Sequence, residues 1–247
     1  MVDGVVSTNT LEGVYSTRRQ IDELLQKEDS GDPLERKRFR ELARLYLDFY
    51  GNAPNRPSTP GDIRAIYDRV MDGEPLDDTH KPDGELFRRD GVEIFSPKGK
   101  RVHVGVEPEG KIAEMIAKML NIVNSEDMPQ TYSAIIGHFV FEYVHPFYDG
   151  NGRTGRYLLA LNLGSPLSIL TSLSLSRVLA ENRSGYYYRA FRDAEHAMNH
   201  GELTPFVISM LENVRAPKWN WMWSLEESGI CMSMWSGSSC RIRIGTA

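Results

Sequence analysis

The sequence predicts an all-α protein carrying one β-hairpin. Apolar residues recur at three- and four-residue intervals through most of the chain, and one short stretch alternates in the strand manner instead. The composition, 40% hydrophobic and 26% charged over 247 residues, is that of a globular chain able to bury a core without disulfides.

In order, helices are expected over Pro33–Tyr50, Gly61–Met71, Lys111–Val123 and Gln130–Val144, with Pro or Asp near several starts. Further helical stretches are Gly152–Leu163, the region near Leu173–Leu179, Tyr186–Met198 and Thr204–Val214. The exception is Val92-Glu93-Ile94-Phe95 with Arg101-Val102-His103-Val104, flanking the turn formers Ser96-Pro97-Lys98-Gly99. A lone hairpin is marginal in water, so it must rest on the helices or on a ligand, as a mobile flap would. Loops are expected at Asn52–Pro60, which holds three prolines, and at the acidic stretch Asp72–Asp83.

These breaks divide the chain into an N-terminal helical region (1–82), a core region (83–215) and a tail (216–247). The tail is compositionally foreign: all four tryptophans (219, 221, 223 and 235) and both cysteines (231 and 240) fall after Ala216. Trp219, Trp221 and Trp223 alternate in the strand manner, and the two cysteines lack the spacing of a zinc site. With 29 basic and 34 acidic residues the net charge is −5, which argues against direct nucleic-acid binding. No basic stretch followed by an apolar run opens the sequence and no run approaches a membrane span, so a cytoplasmic protein without membrane partners is expected.

The chemistry is concentrated in His145-Pro146-Phe147-Tyr148-Asp149-Gly150-Asn151-Gly152-Arg153-Thr154-Gly155-Arg156, between two helical patterns. Glycines at 150 and 152 let the backbone approach an anion, and the following helix start offers N–H groups and positive dipole to a phosphate. Arg153 and Arg156, three apart, share a helix face and can grip phosphate oxygens with planar forks. Asp149 supplies the hard oxygen that Mg²⁺ takes when it is shared with phosphates, and His145 is placed as a general base. The ensemble indicates phosphate-ester transfer from a nucleoside triphosphate.

This stretch resembles the Fic family signature His-x-Phe-x-(Asp/Glu)-Gly-Asn-Gly-Arg-x-x-Arg, every fixed position of which is present. The resemblance implies a mainly helical Fic fold and a protein adenylyltransferase that moves AMP from ATP to a Ser, Thr or Tyr hydroxyl of a target protein. It implies His145 as the base, Phe147 as the anchor of the loop in the core and Asp149 as the Mg²⁺ ligand. Gly150, Asn151 and Gly152 would bind phosphate oxygens, with Arg153 and Arg156 on the β- and γ-phosphates. The hairpin matches the family's flap, so that Glu93, Ile94 and Phe95 would present target main chain, while Tyr187 and Tyr188 match a pair that commonly lines the adenine side. For those tyrosines a plain core role fits equally well.

Near the N-terminus, Thr8-Asn9-Thr10-Leu11-Glu12-Gly13 fits the family's short inhibitory pattern (Ser/Thr)-x-x-x-Glu-(Gly/Asn). Thr8 and Glu12 are one helical turn apart. The resemblance implies that Glu12 pairs with Arg156 and takes the fork meant for the γ-phosphate. Three other readings keep the same site: removal of AMP, transfer of another nucleotide monophosphate, and nucleotide binding without catalysis. Self-modification and homodimer formation are compatible with all of them.

Overall fold

A computed structural model describes residues 2–11, 15, 17–26, 34–52, 55–74, 76–77, 79–96, 98–167, 169–181 and 187–227. Over these residues the chain is mostly helical, with one antiparallel two-stranded sheet, as the periodicity predicts. The elements are α1 (Val2–Leu11), α2 (Arg18–Gln26), α3 (Leu34–Asn52), α4 (Pro60–Val70), β1 (Glu93–Phe95), β2 (Arg101–Val104), α5 (Glu109–Asn124) and α6 (Gln130–Val144). They continue with α7 (Asn151–Leu163), α8 (Ile169–Glu181), α9 (Tyr187–Glu195), a 3-10 turn at Ala197–Asn199 and α10 (Thr204–Glu227).

Local chemistry accounts for several boundaries. Thr59 caps α4 by accepting from the Asp62 amide while the Asp62 carboxylate accepts from the Thr59 amide, a reciprocal box with Pro60 in the first turn. The strands pair Glu93 with Val104, Ile94 with His103 and Phe95 with Arg101, with a register shift between Ile94 and Phe95 that adds local twist. Both ends of the hairpin are tied down: Gly105 N–H donates to Val92 O at 2.9 Å, and Ser96 N–H to Lys100 O at 2.8 Å.

Two buried clusters share the pair α6–α7. One gathers Val5, Tyr46, Phe49, Tyr67, Ile112, Ile116, Phe147 and Tyr157 from the N-terminal side, and the other gathers Ile135, Leu159, Leu175, Tyr187, Phe206 and Met210 from the C-terminal side. The segment joining α6 to α7 therefore sits where the two halves of the core meet, which holds it rigidly.

Helices α1 and α2 carry no separate expectation in the sequence reading, and both supply core residues, Val5 and Ile21, buried to 0% exposure. The expected helix at Tyr186–Met198 is shorter, ending at Glu195 before a 3-10 turn. The strand reading of Trp219, Trp221 and Trp223 is overturned, because α10 continues unbroken through them to Glu227. Three alternating residues are too few to tell a period of two from a helical one, and the neighbouring sequence extends the helix.

His138, in the middle of α6, is fully buried and bridges helices. Its Nδ1 lies 3.1 Å from Gly155 O on α7, and its Nε2 lies 2.9 Å from the Tyr187 hydroxyl on α9. Burial, with the Arg156 charge adding to it, pushes the imidazole down to about 3. Neutral His138 thus donates from Nδ1 to the carbonyl and accepts at Nε2 from Tyr187. Because its folded value is depressed, the unfolded chain binds the proton first. The stability it contributes is complete above the unfolded value of about 6.5 and is lost as pH falls towards 3, by at most about 1.4 kcal/mol per pH unit. His138→Gln keeps an acceptor for the Tyr187 hydroxyl and removes the titration. Chemical denaturation between pH 7 and pH 4 is expected to show a flatter loss of stability for the variant than for the wild type.

Candidate active site

The site begins where α6 ends. His145 caps that helix in the left-handed conformation, φ 52 and ψ 62, with its N–H donating to Phe141 O at 3.0 Å. This backbone state is uncommon outside glycine and turns the chain out of the helix at once. The His145 Nδ1 lies 3.3 Å from Glu142 O, so a proton on Nδ1 donates there and leaves the lone pair on Nε2.

Phe147, buried at 0% exposure, stacks on Tyr67 with centroids 3.6 Å apart and planes at 16°, and Phe87 lies 5.6 Å away. The expected anchor in the core is thus in place. Burial first, and then the Asp149 charge, pushes the Tyr67 phenol up to about 12, so it stays neutral. Asn151 closes the turn from the other side: its Oδ1 accepts from Phe147 N–H at 3.0 Å and its Nδ2 donates to Phe147 O at 2.7 Å.

Gly150 precedes α7 at φ +76, and no side chain caps the helix. The first amides of α7 are therefore available to an anion. A Cβ at 150 would fall 2.4 Å from Met71 Sδ. Gly150→Ala is expected to cost about 1–2 kcal/mol for the left-handed backbone alone, with Met71 forced aside as well. A lower melting temperature together with weaker nucleotide binding checks this.

Both arginines of α7 are nearly buried, Arg153 at 4% and Arg156 at 3% exposure, and both are engaged by the protein itself. Arg153 Nη1 donates to Glu74 Oε1, its Nη2 lies 3.9 Å from Asp149 Oδ2, and its Nε is buried without a hydrogen-bond partner among the described residues. Arg156 Nε donates to Thr8 Oγ1 at 2.8 Å and its Nη2 to Thr8 O at 3.3 Å. The end of α1 therefore lies directly on the second arginine.

Residues 57–163 match the Fic/DOC family. The chain carries a Fic domain. It is 36% identical over 138 residues to a protein adenylyltransferase fic-1 of Caenorhabditis briggsae, covering 50% of this chain and 24% of that protein. A protein adenylyltransferase Fic of Drosophila ananassae is 30% identical over 150 residues, 59% of this chain and 26% of that protein. The chain thus matches only about a quarter of the length of these relatives. In fold it is similar to a Fic family protein from Desulfovibrio desulfuricans, with a TM-score of 0.71 at 24% identity over 94% of this chain and 66% of that one. It is also similar to Fic-1 of Caenorhabditis elegans, with a TM-score of 0.64 at 22% identity over 92% of this chain and 64% of that one.

Within the Fic domain, His145, Asp149, Gly150, Asn151, Gly152, Arg153 and Arg156 lie together at the α6–α7 turn, and the hairpin stands over it. His103 of β2 has its ring 5.8 Å from that of His145. In the flap, Phe95 is 55% exposed and Glu93 is exposed, while Ile94 is half-buried. The two tyrosines separate: Tyr187 is buried with its hydroxyl on His138, and Tyr188 is exposed. Thr8 is on Arg156, whereas Glu12 lies outside the described residues.

Asp149 fits the metal role to the extent that one residue can. Its Oδ1 accepts from Gly150 N–H at 2.6 Å, its side chain is 47% exposed, and no group of three or more His, Cys, Asp or Glu among the described residues could hold an ion alone. Mg²⁺ ordinarily binds through one or two carboxylates plus phosphates and water, and Asp149 would supply one such carboxylate beside the start of α7.

The sequence reading missed three residues that shape the site. Glu74 pairs with Arg153, Arg88 is buried beneath His145, and His103 is bound through Nδ1 to Glu195 of α9 at 2.7 Å, which fastens the hairpin to the helices. Each comes from a loop or from a short strand whose alternation does not mark it, so only their proximity in the fold reveals them.

Proposed function

We propose that this chain is a Fic-type protein adenylyltransferase that transfers AMP from ATP to a Ser, Thr or Tyr hydroxyl of a target protein and is restrained by its own N-terminal helix. The observation that carries the reading is the meeting of His145 with the uncapped start of α7 and the forks of Arg153 and Arg156. Adenylyltransferase names among the relatives support it.

In this mechanism the triphosphate lies along the start of α7. The amides at the start of α7 orient the phosphates, the Asn151 side chain holds the turn through Phe147 instead of reaching them, and Arg153 and Arg156 hold the outer ones. Binding requires the forks to exchange Glu74 and Thr8 for phosphate oxygens. Asp149 would hold Mg²⁺, which neutralises phosphate charge when bound. The target hydroxyl is presented along the flap, and His145 Nε2 takes its proton as the oxygen attacks the α-phosphorus. The bond from Pα to the bridging oxygen breaks and pyrophosphate leaves, with AMP on the target.

Regulation follows from the same arginine. With Thr8 on Arg156, Glu12 one turn further on would occupy the fork and deny it to the γ-phosphate. The location expected from the sequence is cytoplasmic, and no helix among the described residues is long and apolar enough to cross a membrane.

Incubating the chain and a cell lysate with ATP labelled at the α-phosphate is expected to give a protein band whose label is lost with His145→Ala, whereas label at the γ-phosphate gives no band that depends on His145. Intact-mass spectrometry of the labelled protein separates AMP from another nucleotide. His145-dependent transfer of γ-label, or a missing α-label even when Glu12 is replaced by glycine, overturns the reading.

A further inference from the structure

Arg88 lies in the loop between α4 and the hairpin and is among the largest side chains buried to 0% exposure. All its hydrogen-bonded partners are backbone carbonyls. Nε donates to His145 O at 2.9 Å, Nη1 to Asp90 O at 2.6 Å, and Nη2 to Val106 O at 2.8 Å and to Val144 O at 3.4 Å. Its own backbone N–H donates to Pro146 O at 3.2 Å.

The placement has an electrostatic reason. Val144 O and His145 O are end carbonyls of α6, which the helix itself leaves unpaired and which carry the negative end of its dipole. A guanidinium with five donors in a rigid fork satisfies several such acceptors at once, which an ammonium cannot do. Burial lowers the proton affinity of Arg88, yet arginine remains charged in proteins. Asp90 and Val106 flank the two strands of the hairpin, and Val106 N–H returns a bond to Val144 O at 3.1 Å. One buried cation thus joins the end of the helix that delivers His145 to both legs of the flap.

We propose that Arg88 is a positioning residue for the transfer: it holds the left-handed backbone of His145 and the base of the hairpin on one guanidinium, so that the imidazole and a hydroxyl presented on the flap keep a fixed separation. The inference rests on the reading of His145 as the base. Arg88 touches no substrate, and its effect passes through the peptide at 145. From the far side, Asn151 fixes Phe147, so the four residues 144–147 are clamped at both ends.

Two variants of the full chain test it. Arg88→Lys keeps the charge and loses the fork. Gly105→Ala keeps the fork and displaces it, because a Cβ there would fall 2.4 Å from Arg88 Nη2 and 2.7 Å from Val92 Cγ1. Both are expected to lower kcat by about a hundredfold, the scale of an ångström of misplacement. The KM for ATP should stay within about twofold, because the nucleotide groups lie on α7. Nitrogen-15 spectra of the histidine rings, with the His145 signal assigned by its loss in His145→Ala, should show one Nδ1-protonated form in the wild type and mixed tautomers in both variants.

Unchanged kcat and an unchanged His145 ring signal overturn the proposal. So does a parallel fall of kcat, ATP binding and far-UV circular dichroism, which would make Arg88 a residue of the fold alone. The ring signal needs no turnover, so it judges Arg88 even if no transfer is found. Wild-type transfer by His145→Ala would instead overturn the role of the base.

Discussion

His145→Ala should reduce transfer of α-labelled AMP by about a thousandfold, within the range that a general base contributes. The expectation comes from the geometry at the end of α6. The left-handed cap turns His145 out of the helix, and Glu142 O, 3.3 Å from Nδ1, favours the tautomer whose Nε2 can accept a proton. Alanine removes the acceptor without touching Arg153, Arg156 or the start of α7, so ATP should bind with an affinity close to that of the wild type. The measurement pairs a labelling rate with a nucleotide titration by calorimetry. A fall in both together would mean that the substitution had disturbed the turn rather than removed the base.

Glu12→Gly should act in the opposite direction and raise labelling roughly ten- to hundredfold, the equivalent of removing a charge-assisted contact of about 1.5–3 kcal/mol. Arg156, at 3% exposure, already gives two donors to Thr8, which is itself buried to 0%. A carboxylate one turn beyond Thr8 would complete the occupation of that fork. Glycine removes the carboxylate, leaving the guanidinium with a neutral competitor that phosphate can displace. Labelling should rise further for Glu12→Gly than for Thr8→Val, which loses one hydrogen bond and no charge. Equal labelling by Glu12→Gly and wild type would remove the brake from the account, and a double change with His145→Ala should return the signal to background.

The elements that repay reading from sequence are those with a period or a dense local pattern. Residues 130–144 read as a helix because apolar side chains recur along one face, and His145 to Arg156 read as a site because glycines, cations and an acid crowd twelve positions. Phe147 could be placed in the core from the resemblance alone, and its stacking on Tyr67 bears this out. Arg88, Glu74 and His103 escape for the opposite reason. Each is a single charged or polar residue in a loop or a short strand, and each matters because of a partner at least 57 positions away, such as His145, Arg153 or Glu195. The tryptophans of α10 mislead because three residues sample too little of either period.

The two occupied arginines give the site an unusual starting condition. Arg153 holds Glu74 and Arg156 holds Thr8, so ATP meets cations already paired with protein oxygens. Its arrival is then an exchange of partners, and the measured affinity is a difference between two sets of charge-assisted bonds of similar kind. The heat of binding should be small for a ligand with so many phosphate contacts. Any molecule able to draw α1 away would tighten nucleotide binding without touching the nucleotide, and by linkage the nucleotide would favour that molecule equally.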